Sequence, residues 1–412
     1  MIEHFYSQSH YSQRLRRGPL EPHLNDFAGL LSEQGYSQQL GRQKVRLVAD
    51  LSRWLGRKHL PVEKLDEQRV ADFLGARWRR LHRHTVDQPT LSLLLRQLRQ
   101  ANVIPALVAP AHESPLDRLE RDYARFLTQE RGLVQATLEN YLPVARRFLS
   151  RRFGARRIRL DALRAKDVTN FILGDTSTFS PKRVQLTTSA LRSFLGFLYQ
   201  AGQLANNLAA AVPTVARGCL SGLPQSLEPE QVERLVGHCD QHCPAGRRDY
   251  AVLLLLARLG LRAGEVVQLS LEDINWEAGE LLIRGKSARV DRLPLPPDVG
   301  RALVHYLKQG RPRCSSRRVF IRTKAPRQGF SGSAAIDGIV DRALTRAQLD
   351  PEHRGAHLLR HSLATRMLRG GASLTQIGQI LRHQLPQTTE IYAKVNLTAL
   401  RALAQPWPGG AR

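Results

Sequence analysis

Apolar residues recur at helical spacing through the first half of this chain. Two Pro-containing joints break the pattern, Pro105-Ala106-Leu107-Val108-Ala109-Pro110 and the Ala-, Gly- and Pro-rich stretch 209–224. Both joints are too short to hide a domain, so the 412 residues are expected to form separate cores rather than close around one. The first half also carries a faint internal duplication. Pro19-Leu20 matches Pro115-Leu116, Asp26-Phe27-Ala28 matches Asp122-Tyr123-Ala124, and Trp54-Leu55 matches Phe148-Leu149. Val70-Ala71-Asp72-Phe73 parallels Val168-Thr169-Asn170-Phe171, and Leu91, Leu94, Leu95 and Leu98 match Leu191, Phe194, Leu195 and Leu198. Matches concentrated at apolar positions describe packing, and they predict two small helical bundles in tandem, 1–105 and 115–208, with 106–114 between them.

The pattern changes at Ser226-Leu227-Glu228-Pro229, a helix opening with Pro in the first turn, and 225–412 reads as a mixed α/β part. Arg248 to Arg258 predicts a buried helix ended by Gly260, after which Leu261-Arg262-Ala263-Gly264-Glu265 opens the next. Gly279 to Leu295 alternates as a β-hairpin does, turning through Gly285-Lys286-Ser287-Ala288. Helices are expected at Asp298 to Lys308, Ser333 to Ala347 and Leu358 to Leu368. The last stops at Gly370-Gly371, and Ser373 with Gln376 makes a capping-box opening.

A formal net charge of +26 and an isoelectric point near 11.0 point to a polyanion, with nucleic acid the leading candidate. Only nine of the 62 basic residues are lysine, and arginine excess also follows from a GC-rich genome, so charge alone does not separate a DNA enzyme from a ribosomal protein. Basic clusters on both bundles, including Arg77-Trp78-Arg79-Arg80 and Arg146-Arg147 with Arg151-Arg152, suit phosphate neutralisation. From these clusters Arg79, Arg80, Arg146 and Arg147 are the DNA-contact candidates. No apolar run approaches the roughly 20 residues of a membrane span, since Tyr250 to Ala257 is cut by Arg258. Met1 to His10 lacks a signal-peptide core, and four scattered cysteines make no disulfide framework, so a reducing cytoplasm is the expected setting.

The chemistry concentrates between 357 and 392. His357, Arg360 and His361, then His383, then Tyr392 lie on three short helical pieces. Cleaving a phosphodiester without metal needs cations on the nonbridging oxygens, an in-line nucleophile and a proton for the departing oxygen. Arginine suits the first task because its planar fork stays charged and donates bidentately. Arg262 follows a Gly-set turn, and His357 and Arg360 at i,i+3 share a helix face, so the set can hold a phosphate and attack it.

These residues resemble the tyrosine recombinases, also called phage-type integrases. The resemblance rests on Gly260-Leu261-Arg262-x-x-Glu265, the hairpin Gly285-Lys286, His357-x-x-Arg360-His361, and Leu381-x-His383 followed nine residues later by Tyr392. It covers Gln225 to about Leu400 and extends more weakly to 115–204, which is similar to the family's core-binding domain. It implies a mainly α multidomain protein: a catalytic domain at 225–412 with a small β-hairpin or sheet, preceded by one or two helical SAM-like DNA-binding modules. It also implies roles. Tyr392 would form a 3′-phosphotyrosyl link, Arg262 and Arg360 would stabilise the phosphorane, and His357 and His383 would hold the phosphate and manage the phenolic proton. Lys286 would protonate the leaving 5′-oxygen, and Glu265 would buttress the arginines. His361 would be either structural or a direct contact. Arg382 stands where the family usually has glycine, and an arginine there would add a DNA contact.

The implied activity is site-specific recombination that integrates or excises a mobile element. The implied partners are duplex DNA, three further copies of the chain in a tetramer on two sites, and accessory recombinases or DNA-bending proteins near the bacterial nucleoid. A type IB topoisomerase and a non-catalytic DNA-binding regulator are the alternatives. No cofactor is expected, since there is no GxxxxGK[ST] loop and no close carboxylate cluster for two metals. His238-Cys239-Asp240-Gln241-His242-Cys243 has i,i+4 pairs but no second Cys pair nearby, so no metal is expected there. In the family a segment at Leu397 to Leu403 often docks into a neighbouring protomer.

Overall fold

The computed structural model describes residues 2–6, 15, 17–79, 84–106, 114–154, 157–176, 179–214, 225–285 and 290–395. Helices Glu21–Glu33, Gln38–Arg57, Glu67–Trp78 and Asp87–Gln100 follow one another near the amino terminus. The same succession returns as Pro115–Arg125, Gln135–Phe153, Ala165–Thr176 and Pro181–Gln200. In both, a 3-10 turn precedes the third helix, Val62–Lys64 in one and Leu160–Ala162 in the other. Short polar side chains start several of these helices. Ser37 Oγ accepts the Leu40 amide, Asp66 that of Arg69 and Ser114 that of Asp117, each satisfying a donor that the first turn leaves without a carbonyl.

Each set of helices closes on its own core. Val45, Val48, Leu51 and Leu55 form one face of Gln38–Arg57 and are buried with Phe27, Leu31, Phe73 and Leu94. The second core is aromatic: Tyr123 meets Phe194 edge-on at 5.0 Å between ring centroids, and Phe148 meets Phe171 at 5.3 Å. The joint expected from 209 begins later, because Leu208–Ala211 form a 3-10 turn and Val212 is buried in that second core. The chain divides into two compact units, 106–219 and 1–105 together with 220–412. In the latter the amino-terminal helices keep a separate core, and the Arg327 amide donates to the Gln34 carbonyl at 2.8 Å.

The carboxy-terminal part is built around Pro244–Leu259. Every residue from Ala251 to Ala257 is buried, as expected of a helix with neighbours on all sides, and Pro297–Gln309, Ala334–Arg346 and Ala356–Arg369 all pack against it. Gly260 ends it in the left-handed region at φ +57, its amide bonded to Leu256 O. A three-stranded antiparallel sheet lies alongside, ordered β1 (Ile274–Asn275), β2 (Glu280–Arg284), β3 (Val290–Pro294), with Leu281 opposite Leu293 and Ile283 opposite Asp291. Two residues are too few for alternation to announce β1. The hairpin turn at 286–289, and Lys286 with it, lies outside the described residues, as does the expected helix at 397–403. The protein is thus mainly α and multidomain with a small sheet, and no helix among the described residues is long and apolar enough to cross a membrane.

Because Leu254 sits at the centre of this packing with 1% of its surface exposed, Leu254→Ala is expected to destabilise the carboxy-terminal core by about 2 to 5 kcal/mol. Denaturant unfolding followed on that part should show the midpoint fall. An unchanged midpoint would mean the helix is not central.

Candidate active site

The turn at Gly260 places Arg262 at the N-cap of Ala263–Gln268, where Glu265 becomes the third helical residue. That spacing lets one carboxylate take two bonds from one residue: Glu265 Oε2 accepts the Arg262 amide and Oε1 accepts Arg262 Nη1, both at 2.8 Å. A second guanidinium reaches the same carboxylate from far along the chain, Arg382 Nη2 donating to Glu265 Oε2 at 2.8 Å. The loop returns the bond, since Arg262 Nη2 donates to the Arg382 carbonyl at 3.3 Å. Glu265 is 8% exposed. Burial alone would raise its pKa, but the charge on Arg382 and the bonds from Arg262 outweigh that and hold the carboxyl below its usual range.

Arg360 stands beside this group, buried on Ala356–Arg369. Its Nη1 donates to the Gly260 carbonyl and its Nη2 to the Leu381 carbonyl, so one guanidinium pins both turns of the site. Glycine is required at 260 twice over, for the positive φ and because a Cβ there would lie 2.7 Å from Leu381 Cδ2. Desolvation, then the charges of Arg262 and Arg382, push the Arg360 pKa down to about 10, which leaves it cationic at neutral pH. Two guanidiniums therefore bond one carboxylate, and a third is held beside them by backbone carbonyls. The excess positive charge makes this a place for an anion.

Tyr392 is 1% exposed and packs in a small cluster with Leu363, Ala364, Ile377 and Leu381. Its hydroxyl shares a 2.8 Å hydrogen bond with His361 Nδ1, while its ring lies parallel to that of His383 at 6.5 Å. Desolvation raises the phenol to about 12, with Arg360 opposing. His383 Nδ1 shares a 2.7 Å bond with Thr389 Oγ1. Burial and neighbouring positive charge push both His361 and His383 down to about 4, so both are neutral at pH 7. His357 is exposed, its ring 6.3 Å from that of His361.

The fold brings together Arg262, Glu265, Arg360, His361, Arg382, His383 and Tyr392, with His357 at the rim. Two of them differ from expectation. Arg382, expected to add a DNA contact, is 8% exposed and paired to Glu265, in the left-handed region at φ +55, which costs a non-glycine residue of order 1 kcal/mol. His361, rather than His357 or His383, holds the phenol. Elsewhere Arg146 is paired with Asp117 and Glu120, Arg147 lies over the Phe171 and Phe179 rings, and Arg79 is exposed. Arg80 lies outside the described residues. Thr389 is the residue that sequence reasoning left without a role, and only its place in the Thr388-Thr389 pair could have drawn attention to it. Cys243 caps Pro244–Leu259 by accepting the Gly246 amide, and Cys239 is buried beside Arg346.

A model of the phage integrase family matches residues 225–398. Over all 412 residues the chain is 43% identical to a putative integrase/recombinase, y4rA, of Sinorhizobium fredii, covering the whole of both proteins. It is 30% identical to the tyrosine recombinase XerD of Xanthomonas axonopodis pv. citri, over 72% of this chain and 99% of that protein. In fold it is similar to the XerH site-specific recombinase bound to a palindromic difH substrate in a post-cleavage complex, with a TM-score of 0.57 and 20% identity over 84% of this chain and 99% of that one. A lambda integrase dimer bound to a COC' core site matches with a TM-score of 0.51 and 18% identity over 79% of this chain and 87% of that one.

The two depressed histidines set a pH dependence. With folded pKa values about 4 against an ordinary 6.5, the unfolded chain protonates first on acidification, so this contribution is intact above 6.5 and is lost as pH falls toward 4. Denaturant midpoints at pH 7, 5.5 and 4.5 should fall across that window, and His361→Gln with His383→Gln should flatten the fall. Equal slopes for both proteins would count against burial of neutral imidazoles.

Proposed function

The chain belongs to the phage integrase family of tyrosine recombinases, and we propose that Tyr392 is its nucleophile and Arg262 with Arg360 its grip on the scissile phosphate. It carries out site-specific DNA recombination, breaking and rejoining strands through a phosphotyrosyl intermediate. The observation that supports this residue assignment best is the convergence of three guanidiniums and one carboxylate beside a phenol bonded to a neutral imidazole.

In cleavage, Tyr392 Oη attacks phosphorus and the bond to the 5′-oxygen breaks, leaving a 3′-phosphotyrosine and a 5′-hydroxyl. The phenolic proton passes to His361 Nδ1, which accepts it because that imidazole starts neutral. Lys286 supplies the proton to the departing oxygen. His357 and His383 donate to phosphate oxygens. Rejoining runs these steps backward with a partner strand's 5′-hydroxyl, and no nucleotide cofactor is needed because the phosphotyrosine keeps the energy of the phosphodiester. Since Tyr392 is buried, the phosphate reaches it once the Gln387–Glu390 helix and the turn after it shift outward.

Glu265 and Arg382 act through Arg262 and do not touch the phosphate. Around the catalytic part at 225–412 we place a core-binding module at 115–208 and an additional helical module at 1–105, both SAM-like bundles, with 106–114 and 209–224 as connections. The repeated helix succession and the separate cores support that division. The working assembly is a homotetramer on two duplexes.

A suicide duplex from the element's own ends tests the assignment. Wild type should form a covalent protein–DNA adduct that Tyr392→Phe lacks, and adduct at an unchanged level in that variant would remove Tyr392 from the role. Arg262→Ala or Arg360→Ala should slow adduct formation a few hundredfold or more, about 3 to 4 kcal/mol of transition-state stabilisation. Arg382→Gly keeps the backbone conformation but loses the bond to Glu265, so single-turnover cleavage should fall roughly tenfold to a hundredfold at nearly constant DNA affinity. Arg382→Lys should recover part of it. Wild-type cleavage by Arg382→Gly would show that Glu265 holds Arg262 alone.

A further inference from the structure

Thr389 is buried, 3% exposed, and has no part in the chemistry described above. Its hydroxyl behaves unlike those of other helical threonines in this chain. Thr90, Thr169 and Thr345 each return theirs to the backbone carbonyl four residues back, at Val86, Ala165 and Asp341. Thr389, on the helix Gln387–Glu390, instead meets His383 Nδ1 at 2.7 Å, and among the described residues that is the only hydrogen bond its side chain makes.

A simpler account is that the hydroxyl fills space beside whichever polar atom is nearest. The backbone holds the contact more closely than filling requires. The Gly378 carbonyl accepts the His383 amide at 2.9 Å, the Pro386 carbonyl accepts that of Thr389 at 2.8 Å, and a Cβ on Gly378 would lie 3.0 Å from Thr389 Oγ1. Counting hydrogens then decides what the contact does. A neutral imidazole carries one N–H, and a hydroxyl has one hydrogen to give. If Nδ1–H donated to Oγ1, the Thr389 hydrogen would sit in a buried place with no acceptor, which is the costly arrangement. If Thr389 donates to Nδ1, its hydrogen is satisfied and the imidazole proton must lie on Nε2. That nitrogen has no hydrogen-bond partner among the described residues, so it is left to offer its N–H to a ligand. A phosphate oxygen carries only lone pairs, and of the two neutral tautomers it is this one that suits it.

We propose that Thr389 is a positioning residue for strand cleavage: its hydroxyl holds His383 as the Nε2–H tautomer, so that the imidazole meets the scissile phosphate as a donor. The bond also separates the work of the two neutral histidines. His361 Nδ1 faces a phenol, whose proton it can take, whereas His383 Nδ1 faces an alcohol too weakly acidic to give its proton up. Since Thr389 stands on the short helix that leads into Tyr392, the donor is tied to the segment that carries the nucleophile. The proposal rests on the recombinase reading in taking the ligand at Nε2 to be a phosphate.

The test uses the full-length chain with Thr389→Val, which loses the hydroxyl, and Thr389→Ser, which keeps it. In protein labelled with nitrogen-15 histidine at pH 7, the ring signals of His383, identified by their loss in His383→Gln, should report the Nε2–H tautomer in wild type and in Thr389→Ser. Thr389→Val should give a mixture of tautomers. In single-turnover cleavage of the suicide duplex at saturating DNA, Thr389→Val should lose roughly tenfold to a hundredfold in rate at unchanged duplex affinity, and Thr389→Ser should regain most of it. An Nδ1–H tautomer in the wild type would overturn the proposal, and that measurement needs no variant of Thr389 to fold. So would wild-type cleavage by Thr389→Val, or equal losses in the two variants, either of which would make Thr389 a packing residue only. These outcomes leave the wild-type adduct, and with it the assignment of Tyr392, intact. A wild type that forms no adduct on the element's own ends would instead strike the recombinase reading together with this one.

Discussion

Glu265 is the single negative charge on which the catalytic arrangement depends. Arginines repel one another, and three of them meet here within one turn-and-helix framework. The carboxylate makes that possible by accepting from the Arg262 amide, the Arg262 guanidinium and the Arg382 guanidinium together. Carbonyls at Gly260 and Leu381 do the same for Arg360 without adding charge. The positive charge is therefore held in place but not neutralised, which is the electrostatic condition for binding a dianionic phosphorane more strongly than the monoanionic phosphodiester from which it forms.

The same constraint explains the proton chemistry. A partly buried imidazole among positive charges does not become charged near neutrality, so both His361 and His383 rest neutral and His361 can take a proton from the phenol it is bonded to. The phenol is pushed the other way, to about 12, so a poised acceptor matters more than a preformed phenolate. Burial that disfavours both charged forms keeps the pair neutral at rest.

How much of this was legible follows from sequence distance. Arg262 with Glu265 and His357 with Arg360 are i,i+3 pairs, readable once a helix is placed, and Gly260 is readable as a helix stop. The hairpin alternation gave β2 and β3, whereas β1 is two residues paired only in three dimensions. The Arg382–Glu265 bond spans 117 residues and the His361–Tyr392 bond 31, and no local pattern encodes either. Arg382 illustrates the point: in the sequence it is a departure from glycine next to a histidine and invites a DNA contact. In the fold its left-handed backbone keeps the glycine's geometry while its side chain turns inward to the carboxylate.

The basic residues show the same difference between count and use. A net charge of +26 reads as polyanion binding, yet many of the arginines are committed internally: Arg146 to Asp117 and Glu120, Arg258 to Glu233 and Asp298, Arg248 to Asp249. Composition therefore identifies the partner's charge without locating it. What locates it is the local imbalance that remains after every nearby carboxylate and helix end is counted. By that criterion the Arg262, Arg360 and Arg382 group around Glu265 stands out among the described residues. It lies beside the buried phenol of Tyr392, and its excess charge suits one phosphate rather than an extended backbone.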